Sequence, residues 1–564
     1  MRKFLLIICT IHTIAVSGSD FGSLVFSEIM ADPEPCVGLP ETEYIELFNR
    51  TSRDISLSGW ILYNGEKAYP FPVCNIKAED YLLLCPKTIS SMFAKEINVA
   101  SFQSFPALSN SGKMLYVISD KGTLIACVEY EDTWYRNAFK SKGGWSLECI
   151  DTENLSGKGD NWMASANISG GTPGRNNSVQ AENKDLVLPV CNWLYVQSSD
   201  KVELAFSKSM DSDCLNDMSS YYMTGENNIV IKAEPAFPSY RGVVLSLSDA
   251  MTYGTVYELM LKNMQDISGN MPADTSLFFA LPEKPDSFNL TINEVMFNPV
   301  PSGCDYVEFV NRSEKCIDLS NVWITNRDEN GMLNEGCRLS EKSLPCLPGS
   351  YWLLSENLDS VCLQNICGEA CNRLNLSWMP SMPDDKGNIA LLTTSAEVID
   401  EMSYDESMHF VLINDKEGVS LEKFNPDRPS DVQDSWCSAS ATSGYGTPGY
   451  VNSQYKVQKD EKVDIASCDN KWLSPDNDGL DDAVCVNIFP PKPGMISLRL
   501  FDLRGRLVRT LLKNKYVGSN DQVIWDGTAD SGSLVPFGRY ILHVEYFSQD
   551  GICISKRFVL SVLL

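Results

Sequence analysis

Apolar and polar residues alternate along much of the chain. Val202, Leu204 and Phe206 are spaced by Glu203 and Ala205, Tyr257, Leu259 and Leu261 by Glu258 and Met260, and Ile496, Leu498 and Leu500 by Ser497 and Arg499. A period of two sends alternate side chains to opposite faces of a strand, so each run predicts a strand with one buried face. Gly, Pro, Asn and Asp clusters interrupt these runs at short intervals, which suits antiparallel sandwiches. Long helical periodicity is absent, and residues 89–99 are expected to form one short helix or an irregular excursion.

The pattern is duplicated. Glu28-Ile-Met-Ala-Asp-Pro, Glu43-Tyr-Ile-Glu-Leu-Phe-Asn-Arg50 and Leu57-Ser-Gly-Trp60 return as Glu294-Val-Met-Phe-Asn-Pro, Asp305-Tyr-Val-Glu-Phe-Val-Asn-Arg312 and Leu319-Ser-Asn-Val-Trp323. Each copy closes alike. Gly144-Trp-Ser-Leu-Glu148, Asn161-Trp162 and Gly171-Thr-Pro-Gly174 match Gly418-Val-Ser-Leu-Glu422, Ser435-Trp436 and Gly446-Thr-Pro-Gly449. A repeat of this length is a duplicated domain. Polar links at 176–185, 282–286 and 455–464 then divide the chain into residues 20–180, 185–283, 287–454 and 463–564. The expected class is all-β: tandem Ig-like β-sandwiches.

Residues 1–18 read as a cleaved signal peptide. Arg2 and Lys3 precede an apolar run too short to span a bilayer, and Ala15-Val16-Ser17 supplies small residues for cleavage. The expected destination is the cell surface, the medium or the periplasm. A net charge of −28 argues against binding a nucleic-acid backbone or anionic lipid, and no later stretch is expected to span a membrane. Setting aside Cys9, the chain has an even number of cysteines, which in an exported protein predicts disulfides.

The duplicated unit resembles the lamin tail domain of exported bacterial proteins, through Glu28 and its neighbours, Glu43 to Asn49, Leu57 to Trp60, Tyr81 to Leu84, Ser146 to Glu148, Asn161-Trp162 and Gly171 to Gly174. The second copy departs at Asp305, at Asn321-Val322 and at Ser435. The resemblance implies an Ig-like recognition or scaffolding module without catalytic residues. Residues 201–270 resemble a bacterial Ig-like domain of the S-layer type, through Val202 to Asp211, Tyr253 to Leu259 and Asp266 to Asn270. Residues 495–564 are similar to the Ig-like domain of flagellar hook-capping proteins, through Leu500 to Val508, Trp525 to Gly527 and Pro536 to Tyr540. Ser474 to Gly479 resembles the opening of C-terminal domains that sort exported proteins.

Candidate chemistry is sparse. Asp476, Asp478 and Asp482 space their oxygens around Gly479, as a Ca²⁺ loop requires, although the glutamate that completes an EF-hand is missing at Asn487. An Asx-turn leading into the next strand is the plainer reading. Glu28 and Glu46, repeated as Glu294 and Glu308, form carboxylate pairs suited to acid–base work, but their place in both copies favours an ion pair with Arg50 and Arg312 or a strand-edge hydrogen bond. Cys346, Cys362, Cys367 and Cys371 are expected in disulfides and not around a metal, because their spacing fits no zinc site. Trp60, Trp162, Trp323 and Trp436 occupy matched core positions. Trp134 and Tyr135 lie in a polar stretch and are the best exposed candidate for a ligand contact, against ordinary core packing. His409 and His543 are the histidines beyond the leader, and no catalytic triad or phosphate loop accompanies them.

The sequence thus predicts a non-enzymatic exported protein with a structural, adhesive or scaffolding role and no cofactor, calcium at Asp476, Asp478 and Asp482 being the alternative to the Asx-turn. Its expected partner is an extracellular or envelope protein or glycan. The alternatives are a glycan- or protein-binding accessory of a surface system and a hydrolase with an unrecognised site.

Overall fold

A computed structural model describes residues 21–563, apart from 158, 225–227, 366, 369–370, 456–463, 477, 479, 549–550 and 552. The leader expected over residues 1–18 lies outside the described residues, as does most of the 455–464 link. The fold is all-β. Its helical segments are short, and among the described residues no helix is long and apolar enough to cross a membrane. The chain divides into two compact units at Pro282–Glu283, with Lys342–Pro345 grouped with the first.

The first unit opens with a six-stranded sheet in the spatial order Trp162–Ala164, Leu147–Cys149, Leu24–Met30, Tyr44–Asn49, Tyr81–Pro86, Val99–Phe102. It faces a four-stranded sheet ordered Leu124–Glu131, Gly112–Ile118, Ile61–Asn64, Lys67–Pro70. Leu24, Phe26, Leu47, Leu62, Leu115 and Val117 belong to one apolar core. Burying each such side chain contributes about 1.5–3 kcal/mol. The excursion at 89–99 contains one short 3-10 turn, Ser90–Met92. It contributes Phe93 to a second small core with Met30, Tyr44, Leu83 and Cys85.

Residues 191–280 add a four-stranded and a three-stranded sheet. The alternation read from the sequence is borne out, with Val202, Leu204, Phe206, Tyr257, Leu259 and Leu261 all buried. The two turns that carry the S-layer likeness meet in space. Met210 bridges to Asp266, and the buried Lys208 ammonium pairs with Asp266 (2.5 Å) and with Asp185.

The second unit begins with the second repeat, whose six-stranded sheet has the same topology: Trp436–Ser438, Leu421–Lys423, Leu290–Met296, Tyr306–Asn311, Tyr351–Ser355, Asn372–Asn375. Residues 466–562 follow as a three-stranded and a five-stranded sheet, the latter built on Gly494–Asp502, Gly538–Ser548 and Cys553–Val562. Ile496, Leu498 and Leu500 point into its core.

The disulfide expectation is borne out at Cys362–Cys367, which is bonded, and corrected at Cys346 and Cys371, which are thiols, as are most other cysteines of the described residues. Many lie within strands and pack as small apolar groups. Burial pushes the Cys85 thiol up to about 11 and those of Cys149 and Cys346 to about 12.

Candidate functional site

The glutamates common to both repeats form the most conspicuous polar centre. Strand register places Glu28 opposite both Glu46 and Glu148, so three carboxylates stand in one row across the sheet. A bulge between Phe26 and Glu28 turns Ser27 toward the same row. All three glutamates are fully buried.

Their partners come from the closing segment. Glu28 Oε1 accepts from the Tyr44 hydroxyl (2.6 Å), the Ser146 hydroxyl (2.6 Å) and the Thr172 N–H (2.9 Å). Glu46 accepts from the Ser27 hydroxyl (2.8 Å) and the Gly174 N–H (2.5 Å). Glu148 accepts from the Thr172 hydroxyl (2.8 Å), the Ser178 hydroxyl (2.7 Å) and the Val179 N–H (3.2 Å). The Gly-Thr-Pro-Gly motif follows from this arrangement. A Cβ on Gly171 would lie 2.5 Å from Glu28 Oε1, and Gly174 has φ +77°.

The second repeat reproduces the centre bond for bond. Glu294 accepts from the Tyr306 hydroxyl (2.8 Å), the Ser420 hydroxyl (2.6 Å) and the Thr447 N–H (2.9 Å). Glu308 accepts from Asn293 Nδ2 (2.8 Å) and the Gly449 N–H (2.5 Å), and Glu422 from the Thr447 hydroxyl (2.7 Å), the Ser453 hydroxyl (2.8 Å) and the Gln454 N–H (3.0 Å). The expected ion pairs with Arg50 and Arg312 are not formed. Arg50 binds Glu153 (2.5 Å) and the Gly22 carbonyl, and Arg312 binds Asp427 (2.8 Å).

Among the described residues no ion pair is formed with either row, and desolvation dominates. It holds the carboxyls of Glu28 and Glu294 up at about 7, with the neighbouring Glu148 and Glu422 charges adding to the rise. Glu46 and Glu308 are raised well above the usual range, first by burial and then by Glu28 and Glu294. Both centres therefore keep protons that the unfolded chain releases. Their contribution to stability is complete below about pH 4.5 and is lost as pH rises through about 7.

The second repeat adds a buried cluster of its own. Lys423 Nζ donates to the Thr291 and Ser430 hydroxyls (2.6 Å each), and Asp400 accepts from the same two hydroxyls (3.0 and 2.5 Å) and from the Ile292 N–H (2.7 Å). Burial lowers the Lys423 ammonium to about 8. Lys423 occupies the place of Cys149 in the first repeat.

The other candidates are rearranged. Trp134 and Tyr135 are buried in a 3-10 turn, Asp132–Tyr135, and belong to the first core, with the Trp134 ring 6.1 Å from that of Trp162. The exposure expected of them is thus corrected: polar neighbours marked the rim of the turn, while the turn itself rotates both rings inward. Trp60, Trp162 and Trp436 are buried, and Trp323 is half-buried. Asp476, Asp478 and Asp482 do converge, with carboxylate oxygens within 4.8 Å of one another. Asp476 accepts from the Asp478 N–H (3.1 Å) and Asp478 from the Leu480 N–H (2.8 Å), which are Asx-turn bonds.

These features define an all-β chain of packed sheets whose repeated polar centres lie inside the sandwiches. Residues 17–132 match the family model of the Lamin Tail Domain, an Ig-like β-sandwich. No curated relative matches the chain in sequence. Among solved structures it is similar to the N-terminal part of the bacterial S-layer protein SbsC, at 13% identity over 39% of this chain and 44% of that one, TM-score 0.16. It is also similar to the Bacteroides ovatus mixed-linkage glucan utilization locus protein SGBP-B, solved with a mixed-linkage heptasaccharide, at 10% identity over 91% and 92%, TM-score 0.17. A tetra-tandem repeat from the extending region of a large adhesion protein matches at 11% identity over 96% and 99%, TM-score 0.12. The chain spans about half the length of the S-layer structures it matches.

Proposed function

We propose that the chain is a non-enzymatic, exported scaffold whose sandwiches present surfaces at the cell surface or in the periplasm. One observation carries the reading. The carboxylate rows, the best acid–base candidates in the sequence, are buried and saturated by hydrogen bonds that hold the closing segment, in two copies alike. A carboxylate committed to three donors and shut off from solvent is a structural bolt, whereas a general acid or base must reach a substrate. On this reading residues 287–454 are a second lamin tail domain, residues 185–283 an S-layer-type spacer and residues 463–564 a hook-capping-like terminal domain. The partner is an extracellular or envelope protein or glycan.

Fractionation of the native cells, with mass spectrometry of the mature N-terminus, tests the proposal. Expected is a surface, secreted or periplasmic protein beginning near Ser17 to Ser19. A cytosolic protein retaining Met1, or turnover in a broad hydrolase screen, contradicts it.

The loop of Asp476, Asp478 and Asp482 is proposed to take Ca²⁺, supported by the convergence of the three carboxylates. Calcium is expected to raise the melting temperature of the chelated protein, and Asp478→Asn to abolish the rise. An equal rise in the variant excludes this loop.

A further inference from the structure

We propose that the second unit holds a binding site for a compact, ring-bearing carboxylate, between residues 424–435 of the second repeat and the outer face of the C-terminal five-stranded sheet. The cavity there measures about 320 Å³, at the lower edge of the range for small-molecule sites, about 300–1,000 Å³.

Its floor is built by strand register. Arg499, His543 and Arg557 stand opposite one another on three neighbouring strands. Alternation sends Leu498, Leu500, Leu542 and Val544 to the core and leaves this row, with Glu545 and Phe547 beside it, facing the cavity. The facing wall is formed by Phe424, Arg428 and Ser435. The Phe424 and Phe547 rings stack at 6.0 Å, and the Arg428 guanidinium lies 5.9 Å from the Phe547 ring.

Two polar atoms in this lining are buried without a hydrogen-bond partner, Ser435 Oγ and Arg499 Nε, and Ser435 is fully buried. Arg499 is held by its other nitrogens, one on Asp434 (2.8 Å) and one on Glu545. Its Nε–H therefore has a fixed direction and no acceptor. Buried donors without acceptors are costly and uncommon, and an oxygen brought by a ligand relieves both.

The first repeat shows how this position is satisfied by a longer side chain. Asn161 matches Ser435, and its amide donates to the Asp151 and Asn154 carbonyls (2.8 and 3.1 Å) while its oxygen accepts from the Asp151 N–H (3.0 Å). The shorter Ser435 side chain makes none of these bonds.

Charge and shape select the ligand. The acids in the lining are already engaged, Asp427 with Arg312 (2.8 Å) and Glu545 with Arg499 and Arg428. The remaining donors sit among three guanidinium groups in a chain of net charge −28. A guanidinium cluster suits a carboxylate, and the phenylalanine rings suit a ligand with an apolar face. A hexuronic acid and an aromatic acid share this chemistry.

Calorimetry and saturation-transfer NMR on the full chain, with galacturonate, benzoate, their neutral counterparts galactose and benzyl alcohol, and sulfate, test the site. Expected is saturable binding of one acid, with its neutral counterpart and sulfate each about tenfold weaker or worse. Ser435→Asn, which installs the residue of the first repeat, and Arg499→Lys are each expected to weaken binding by about tenfold. If Ser435→Asn alters the melting transition, Ser435→Ala replaces it, with an expected loss of about threefold. The acid that saturates identifies the source. Failure of both acids to saturate, equal binding of sulfate or a neutral counterpart, or unchanged affinity in the variants overturns the assignment.

Discussion

Glu28→Ala is expected to destabilise the first sandwich by about 3–5 kcal/mol, because it strands three buried donors at once, each worth about 1–3 kcal/mol when left unsatisfied. Those donors are the Tyr44 hydroxyl, the Ser146 hydroxyl and the Thr172 N–H, all on Glu28 Oε1. The loss also loosens the closing segment, whose Thr172 hydroxyl and Gly174 N–H keep their bonds to Glu148 and Glu46. Glu28→Gln should behave differently. Its amide oxygen can accept the same three bonds, and the cost of burying a charge disappears. Denaturation of the full chain, followed through a probe in the first unit, should show a large loss for Ala and a small change for Gln. The pH dependence separates them further. With Glu28 held at about 7, the wild-type centre loses roughly 3 kcal/mol of stability as pH rises from about 4.5 past 7. In Glu28→Gln that slope should flatten. Equal effects of Ala and Gln, or stability that rises with pH in this window and is unchanged by Gln, would count against the hydrogen-bond account.

The second large effect lies in the second repeat. Asp400→Ala should cost about 3–5 kcal/mol, since it leaves the Lys423 ammonium buried without a countercharge. The two groups meet through the Thr291 and Ser430 hydroxyls, each of which touches both. The first repeat folds without such a cluster, with Cys149 where Lys423 stands. Asp400→Ala combined with Lys423→Met should therefore recover most of the loss, because replacing a buried charge pair by apolar groups is close to neutral. Chemical denaturation of the second unit in the single and double variants measures this. A double variant as unstable as Asp400→Ala alone would mean that the cluster contributes something other than charge balance.

Much of the architecture is legible in the sequence. Alternation at Val202–Phe206, Tyr257–Leu261 and Ile496–Leu500 is a local signal, and each run is a strand with the expected buried face. The duplication pointed to two similar units, and the two six-stranded sheets share one topology. What escaped was set by contacts distant in sequence. The partner of Glu28 is Thr172, 144 residues away, and nothing local in either segment announces it. The repeated Gly-Thr-Pro-Gly was the available clue, since two glycines flanking a threonine imply a backbone pressed against something. Arg50 and Arg312 were misassigned for the same reason, as neighbours in sequence that point elsewhere. Trp134 and Tyr135 misled because their polar neighbours mark only the rim of a short 3-10 turn that buries both rings. Cysteine count also proved a poor guide, since buried thiols in strands serve as small apolar side chains. The departure at Ser435 was visible as a mismatch between the copies, but its consequence needed the cavity.

Hydrogen exchange in the wild-type chain, read at the backbone amides of Thr172, Gly174, Thr447 and Gly449, probes the carboxylate rows most directly. If the glutamates bolt the closing segments in place, these four amides show the protection factors of the core strands at pH 5 and, relative to the core strands, lose protection at pH 8. If they exchange at the rate of open loops at both pH values, the rows are not structural bolts, and a functional role for those carboxylates returns.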